Sequence, residues 1–179
     1  MRKVAAVAAL LVTTCTALAA PLPRPSPDFT VAEPGKPPLL LSSLRGKVVV
    51  MEFMFVRSAH CRQVAQMLNK LQGELGPRGF QPVGVVFDPP SGSTAGAQIV
   101  DFLRSYLSIA YPVGYASKEA VDAYLDRTPI EVLAIPQVVV IDRNGVIRAA
   151  TGGRGGNTTL EDEGLLRELL ERLLAENPS

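Results

Sequence analysis

The stretch VVVMEFMF at residues 48–55 is a continuous run of apolar and β-branched residues that a single charge interrupts. Gly46 and Lys47 supply a turn immediately before it. A strand with one face in water would alternate polar and apolar residues, whereas an unbroken apolar run is typical of a central strand covered on both faces. The stretch therefore predicts a buried strand in the middle of a sheet.

The residues that follow this strand alternate between helix and strand patterns. Apolar side chains at helical spacing predict helices at residues 63–75, 97–107 and 118–125, and a last helix near the C-terminus. Short apolar runs predict strands at residues 82–87, 111–115, 137–141 and 146–150, the last two joined by the tight turn Asp142-Arg143-Asn144-Gly145. This order indicates an α/β sandwich around a mixed central sheet.

Two glycine-containing segments are predicted to be loops, at residues 91–96 and 152–157. The second lacks the Lys-Ser/Thr pair of a phosphate-binding loop, so we interpret it as a connection between elements. Thr158 and Glu161 have the spacing of a capping box, which predicts the start of the last helix at this point.

The N-terminus has the parts of a secretory signal peptide. Arg2 and Lys3 precede an apolar run, and Ala17 and Ala19 form a small-residue cleavage site. Threonines break the apolar run, so a transmembrane span is disfavoured and none is expected after signal removal. A lipoprotein signal at Cys15 is also disfavoured, because the residue before it is a threonine rather than a smaller residue.

The chain is accordingly divided into three segments. We place the signal peptide at residues 1–19, a proline-rich leader at residues 20–40 and one globular domain at residues 41–177. Seven of the fifteen prolines lie between residues 21 and 38, which predicts extended or polyproline-like backbone in the leader. The signal peptide predicts a periplasmic or extracellular location.

The composition excludes several classes of function. The chain has 179 residues, of which 47% are hydrophobic and 20% charged, with a net charge of +1, as expected for one globular domain. It has no basic run interleaved with aromatic residues, so nucleic acid is not an expected partner. The single histidine excludes multi-histidine metal sites, and no cofactor is expected.

Cys61 is the only cysteine left after signal removal, because Cys15 lies within the signal peptide. An intramolecular disulfide is therefore excluded in the mature chain. In an oxidising exported compartment, a single cysteine is either a buried, inert residue or a reactive thiol.

Several stretches resemble a known family. They are PDFTV at residues 27–31, LSSLRGKVVVMEF at residues 41–53 and IPQVVVIDRNGVI at residues 135–147. With a cysteine opening the next helix and a C-terminal helix, they are similar to the TlpA/ResA-like branch of the thioredoxin fold, within the redoxin or AhpC/TSA group. The resemblance covers nearly all of the mature chain. It implies a thioredoxin-like three-layer sandwich with a mixed central sheet and an inserted helix.

Members of that branch carry F-W-A-x-W-C-x-x-C-R directly after the first core strand, and the aligned stretch here is FMFVRSAHCR at residues 53–62. By this resemblance Ser58 takes the place of the nucleophilic first cysteine and Cys61 that of the second, while Met54 and Arg57 replace the tryptophans. Exchange needs a thiolate at the helix N-terminus and a second thiol one turn later. A serine hydroxyl is not appreciably ionised near neutral pH, so dithiol exchange is expected to be absent or very weak.

The resemblance leaves three interpretations of Cys61 open. The first is a redox-active thiol. The second is a one-cysteine peroxidase, because peroxiredoxin relatives use a T/S-x-x-C arrangement in which the hydroxyl, here that of Ser58, orients the cysteine. Phe55 stands where that motif has proline, and the spacing differs by one residue, which disfavours this interpretation. In the third, Ser58 is only a helix cap and Cys61 a small buried hydrophobe.

His60, Ile135 and Pro136 complete the candidate site. In dithiol oxidases with a C-x-H-C centre the histidine stabilises the thiolate of the first cysteine, which is replaced here. His60 is therefore expected to face solvent and to tune Cys61 modestly or not at all. Pro136 resembles the cis-proline of the family, which with Ile135 would present backbone groups to an extended substrate chain. Copper-delivery relatives use two cysteines and a distal histidine, which this chain lacks, so no metal is expected.

These observations predict an exported redoxin with thiol-based oxidoreductase or antioxidant-type activity that depends on Cys61, assisted by Ser58, His60 and the loop at Ile135 and Pro136. Its partners would be protein thiols or disulfides, or a peroxide. The alternative is a redox-inactive binding module of the same fold. Thiol reactivity separates the two hypotheses, because a structural cysteine reacts slowly.

Overall fold

The structure is a computed structural model that describes residues 21–87, 93–128, 133–152 and 158–177. The predicted signal peptide at residues 1–19, including Cys15, lies outside the described residues. Parts of the predicted loops at residues 91–96 and 152–157 also lie outside them.

Strands and helices alternate through the described ranges. The strands are β1 (Arg24–Pro25), β2 (Thr30–Val31), β3 (Leu39–Leu40), β4 (Val48–Met54), β5 (Phe80–Val86), β6 (Val113–Tyr115), β7 (Gln137–Ile141) and β8 (Val146–Ala150). The α-helices are α1 (Ala59–Leu75), α2 (Ser93–Leu107), α3 (Lys118–Tyr124) and α4 (Glu163–Ala175). Short 3₁₀ helices occur at Leu41–Leu44, Gly76–Arg78 and Thr158–Glu161. In the part of the chain that the structure describes, no helix is long and apolar enough to cross a bilayer.

Six strands form one mixed sheet in the order β1-β8-β7-β4-β5-β6. β4 pairs in parallel with β5, and β5 with β6, because α1 and α2 carry the chain back across the sheet between these strands. β7 pairs antiparallel with both β4 and β8. The predicted α/β architecture with a mixed central sheet is therefore confirmed.

The buried strand β4 separates two apolar clusters. Every residue of β4 is buried, and alternate side chains face opposite sides of the sheet. The set that faces α1, α2 and α4 consists of Val48, Val50 and Met54. The set that faces Phe29 and the apolar side of α3 consists of Val49, Met51 and Phe53. Helices thus cover both faces, which confirms the three-layer sandwich that the family resemblance implied.

The proline-rich segment that begins at residue 21 is largely extended and packs on the domain. β1 adds an edge strand to the sheet by pairing with β8, and β2 pairs with β3 in a small hairpin. The Phe29 ring meets Phe53 edge-on, with ring centroids 5.7 Å apart, so this segment contributes to the core. The domain boundary at residue 41 stays a prediction.

Two helices begin earlier than the apolar spacing predicted. α1 begins at Ala59 rather than at residue 63. α2 begins at Ser93, so residues 93–96 are helical and not part of a loop. Gly96 lies in the first turn of α2, where a Cβ atom would meet the ring of Tyr115 at 3.1 Å. The glycine allows close packing here, whereas in the sequence it indicated a helix break.

The predicted capping box at the last helix is wrong. α4 begins at Glu163, and its N-cap is Asp162, whose Oδ1 accepts a hydrogen bond from the amide of Leu165 at 3.0 Å. Thr158 and Glu161 belong instead to the preceding 3₁₀ helix. An aspartate next to the start of the helix caps it equally well, which leaves the carboxylate of Glu161 available for another partner.

Candidate functional site

The candidate site begins at the turn that joins β4 to α1. Ser58 is the N-cap of α1, and its Oγ accepts a hydrogen bond from the amide of Cys61 at 3.2 Å. The carbonyl of Ser58 accepts from the amide of Arg62, also at 3.2 Å. The first amides of a helix lack partners within the helix, and a serine hydroxyl satisfies one of them. The Ser58 hydroxyl therefore caps the first turn of α1.

Cys61 lies in the first turn of α1 and points inward. Its exposure is 1%, and it belongs to the same buried cluster as Met54, Val64 and Leu68. Its neighbour His60 is exposed, because successive residues of a helix are rotated by about 100° around its axis. The Cys61 thiol is thus covered in this structure, and a reagent reaches it only when its surroundings move.

The loop before β7 and this turn lie at the same end of the central strands. β4 and β7 run antiparallel with Phe53 opposite Gln137, so the chain leaves β4 toward Ser58 where it enters β7 from Pro136. The Ile135–Pro136 peptide bond is cis. The Ile135 side chain packs against both apolar clusters. The structure therefore places the two predicted parts of the site, the Ser58–Cys61 turn and the loop at Ile135 and Pro136, at the same end of the central strands.

His60 has a specific partner that the sequence did not predict. Its Nε2 lies 2.8 Å from Oε2 of Glu161, the last residue of the Thr158–Glu161 3₁₀ helix. The side chain of His60 is 52% exposed and that of Glu161 is 24% exposed. The expectation that His60 faces solvent therefore agrees with its exposure, but the imidazole also links the head of α1 to the segment before α4.

Glu52 is a buried carboxyl group that the sequence reasoning passed over. It lies in the middle of β4 with 0% exposure, and neither carboxyl oxygen has a hydrogen-bond partner among the described residues. Burial, and secondarily the charge of Glu161, raises the pKa of this carboxyl group well above its usual value. The single charge within VVVMEFMF was the available signal, since a charged residue in a strand buried on both faces needs an explanation.

Strand alternation places Glu52 on the side of the sheet that α1 covers. Its neighbours on that face of β4 are Val50 and Met54, which belong to the cluster that contains Cys61. Tyr111 is buried near the same region, and its hydroxyl donates to the carbonyl of Ala65 in α1 at 3.3 Å. Burial, and secondarily the charge of Glu52, raises the pKa of Tyr111 well above its usual value. The apolar interior between α1 and the sheet thus contains two titratable groups, Glu52 and Tyr111.

The described residues offer no metal centre. Within residues 21–87, 93–128, 133–152 and 158–177, no group of three or more His, Cys, Asp or Glu side chains is arranged to hold a metal ion. Arg62 is part of the turn itself, where its Nη1 donates to the carbonyl of Val56 at 3.4 Å. The chemically distinctive groups of the site are therefore a covered thiol, a serine hydroxyl, an imidazole–carboxylate pair and a buried carboxyl group.

The fold and this site define a thioredoxin-fold protein of the redoxin type. The model of the AhpC/TSA family matches residues 23–150. The chain belongs to the AhpC/TSA family, as the resemblance in its sequence implied. No curated protein matches the chain.

Solved structures with the same fold include several thiol–disulfide proteins. A thiol:disulfide interchange protein of the thioredoxin family from Chlorobium tepidum TLS is 23% identical, with a TM-score of 0.68 over 88% of this chain and 100% of its own. A thiol:disulfide interchange protein from a Bacteroides species is 17% identical, with a TM-score of 0.66 over 86% of this chain and 93% of its own. The thioredoxin domain of a thiol-disulfide oxidoreductase from Bacteroides vulgatus is 17% identical, with a TM-score of 0.62 over 82% and 95%.

Proposed function

We propose that the chain is an exported thiol oxidoreductase that acts through Cys61 alone, with dithiol exchange impaired by Ser58. The observation that carries this proposal is the hydrogen bond between the Cys61 amide and Ser58 Oγ at the head of α1. It supports the assignment of Ser58 to the position of the first family cysteine and of Cys61 to that of the second. Protein disulfides or thiols are the proposed substrates. A peroxide is the alternative oxidant of the Cys61 thiol.

The proposed reaction is a single exchange step. The Cys61 thiolate attacks one sulfur of a partner disulfide, forms a mixed disulfide and releases the other partner sulfur as a thiolate. In a dithiol enzyme a second thiolate would then attack the mixed disulfide. The Ser58 hydroxyl stays protonated near neutral pH and cannot do so, so release requires a thiol from another molecule.

The surroundings of Cys61 support this role in two ways. Positive potential at the N-terminus of a helix favours a thiolate over a thiol, and Cys61 lies in the first turn of α1. The loop at Ile135 and Pro136 lies at the same end of the central strands as Cys61, where its backbone could pair with an extended substrate chain. We propose that His60 and Ser58 orient the thiol while this loop holds the substrate.

A redox-inactive binding module of the same fold is the second candidate function. The 1% exposure of Cys61 favours it, because a structural cysteine is buried and reacts slowly. In that case the loop at Ile135 and Pro136 would still bind an extended peptide, and Cys61 would serve only as a small apolar residue.

Oxidised glutathione distinguishes the two candidates. The folded chain is incubated with it, and peptide mass spectrometry locates the adducts. We expect a glutathione adduct at Cys61 that dithiothreitol removes, and no adduct in this peptide in a Cys61→Ala chain. A Cys61 that stays unmodified in the folded chain but is modified in denaturant would favour the binding module.

A further inference from the structure

The Thr158–Glu161 3₁₀ helix lies against the head of α1, and we call this segment the strap. One side-chain contact and one shared buried cluster define the arrangement. On the outside, His60 Nε2 and Glu161 Oε2 are 2.8 Å apart. On the inside, the adjacent residues Cys61 and Leu160 are buried to 1% and 2% exposure and belong to one apolar cluster. The imidazole–carboxylate pair therefore joins two residues whose sequence neighbours, Cys61 and Leu160, lie in one buried apolar cluster.

Two ion pairs that join α1 to α4 lie far from the thiol. Lys70 Nζ is 2.7 Å from Oε1 of Glu163, and Glu74 Oε2 is 2.6 Å from Nη2 of Arg167. With a rise of about 1.5 Å per residue, Lys70 lies about 13 Å along α1 from Cys61. Among these three pairs, only that of His60 and Glu161 holds the chain at the end of α1 where Cys61 lies.

A second observation concerns a buried polar group on the face of the sheet that holds this apolar cluster. Glu52 lies on the face of β4 that α1 covers, and neither of its carboxyl oxygens has a hydrogen-bond partner among the described residues. The charge of Glu161 acts on this buried carboxyl group. Glu161 thus lies within electrostatic range of both an exposed imidazole and a buried acid.

We propose that the strap is a latch that controls access to Cys61, with Leu160 covering the thiol side of the cluster and the His60–Glu161 pair holding the closed state. Opening of the strap exposes the thiol without unfolding the sheet. The proposal rests on the proposed function, because the opening has a biological use only if Cys61 is the reacting thiol. It adds the step that regulates this thiol.

The test measures the rate at which iodoacetamide alkylates Cys61 in the folded full-length chain, followed by peptide mass spectrometry. We expect His60→Gln and Glu161→Gln each to accelerate alkylation about two- to fivefold, the range that one exposed side-chain pair supports. The double variant should react no faster than the faster single variant, because both changes break the same contact. Lys70→Met is the matched control, since it breaks an α1–α4 pair of similar exposure, and its rate should equal that of the wild type.

A variant at Leu160, the buried residue of the strap, tests the other half of the latch. Leu160→Ala should accelerate alkylation about tenfold or more, because truncating a buried leucine removes packing that holds the strap. Leu173→Ala, in the same cluster but on α4, should not accelerate it at low denaturant. Rates are measured at several low denaturant concentrations, because a local opening is insensitive to denaturant while global unfolding is not. This comparison separates latch opening from a general loss of stability.

The outcomes for the latch and for the proposed function are distinct. Equal alkylation rates in the His60, Glu161 and Lys70 variants would overturn the latch, even if Cys61 forms a mixed disulfide. Faster alkylation in the strap variants supports the latch. If those same variants form no mixed disulfide with oxidised glutathione, the latch stands and the proposed function fails.

Discussion

The Oγ atom of Ser58 accepts a hydrogen bond from the amide of Cys61 at 3.2 Å, at the first turn of the helix that follows the central strand. The hydroxyl thus caps the helix at the position that the family resemblance aligns with the first thiol of the motif. A serine can cap this turn but cannot perform the exchange, because capping needs an oxygen and exchange needs a thiolate. The thiol at this turn is that of Cys61, and its surroundings cover it.

The first prediction is that Ser58→Cys restores a reducible disulfide with Cys61. Residues 58 and 61 are one helical turn apart, within the Cα separation of about 4.4–6.8 Å that a disulfide requires. The helix N-terminus should favour the thiolate of the introduced cysteine. We expect measurable insulin reduction by the variant and none by the wild type.

Two results would count against parts of this argument. If the variant forms the disulfide but reduces no insulin, the buried Met54 and the exposed Arg57 have altered the surroundings of the turn as well. If the introduced thiol never bonds to Cys61, the assignment of this segment to the active-site turn of the family is incorrect.

The second prediction concerns the cap itself. Ser58→Ala should lower the free energy of unfolding by about 1 kcal/mol, because the Cys61 amide loses its partner. Ser117→Ala is the matched control, since Ser117 caps α3 by accepting from the amide of Ala120 at 3.2 Å. Denaturant titration should show similar losses, but only Ser58→Ala should accelerate adduct formation at Cys61. Equal acceleration in both variants would mean that the cap has no special connection with the thiol.

The third prediction is a pH dependence of stability that originates at Glu52. Its folded-state pKa is raised above the ordinary 4.5, mainly by burial. Its contribution to stability is therefore fully present below about pH 4.5 and is lost as the pH rises through the folded-state value. Glu52→Met should remove this loss and raise the free energy of unfolding at pH 8 by about 1–3 kcal/mol.

A control with the opposite sign is available at Asp28. Hydrogen bonds from the amide and hydroxyl of Ser42 lower the pKa of Asp28 below its ordinary 3.8. Its contribution is present above that value and is lost on acidification, so Asp28→Asn should flatten the acid side of the curve only. If Glu52→Met leaves the slope between pH 5 and pH 9 unchanged, Glu52 is not the group responsible.

The fourth prediction concerns processing of the chain. Export should remove residues 1–19, because the charged start, the apolar run and the small-residue site at Ala17 and Ala19 agree. Intact-mass measurement of the exported protein should give a chain that begins near Ala20. A mature protein that retains Met1 would contradict the signal peptide and would favour a membrane anchor.

Much of the fold could be predicted because short stretches of the sequence determine individual strands, helices and turns. The unbroken apolar run of β4 indicated a strand buried on both faces, and the structure buries all of it. The turn before β8 could be predicted because Asp142 and Gly145 are typical turn residues. In the structure, Asp142 Oδ1 accepts from the amides of Asn144 and Val146, and Gly145 has a φ of 76°.

The remaining features depend on contacts between distant parts of the chain. The pairing of His60 with Glu161 joins residues about a hundred positions apart, which no local pattern encodes. Gly96 has the composition of a loop but lies in a helix, because the ring of Tyr115 occupies the space of its missing side chain. The burial of Cys61 likewise depends on how residues from distant parts of the chain pack into one apolar cluster around α1, so the sequence left its environment open.

The most direct test of the account is the number of thiol equivalents that the folded chain releases from 4,4′-dithiodipyridine. With the Cys61→Ala chain as the blank, the wild type should release one equivalent of thiopyridine and keep the other half of the reagent as a mixed disulfide. Ser58→Cys should release two equivalents and end as an intramolecular disulfide. Release of no equivalent by the folded wild type, with release only after unfolding, would contradict the claim that Cys61 is the reacting thiol.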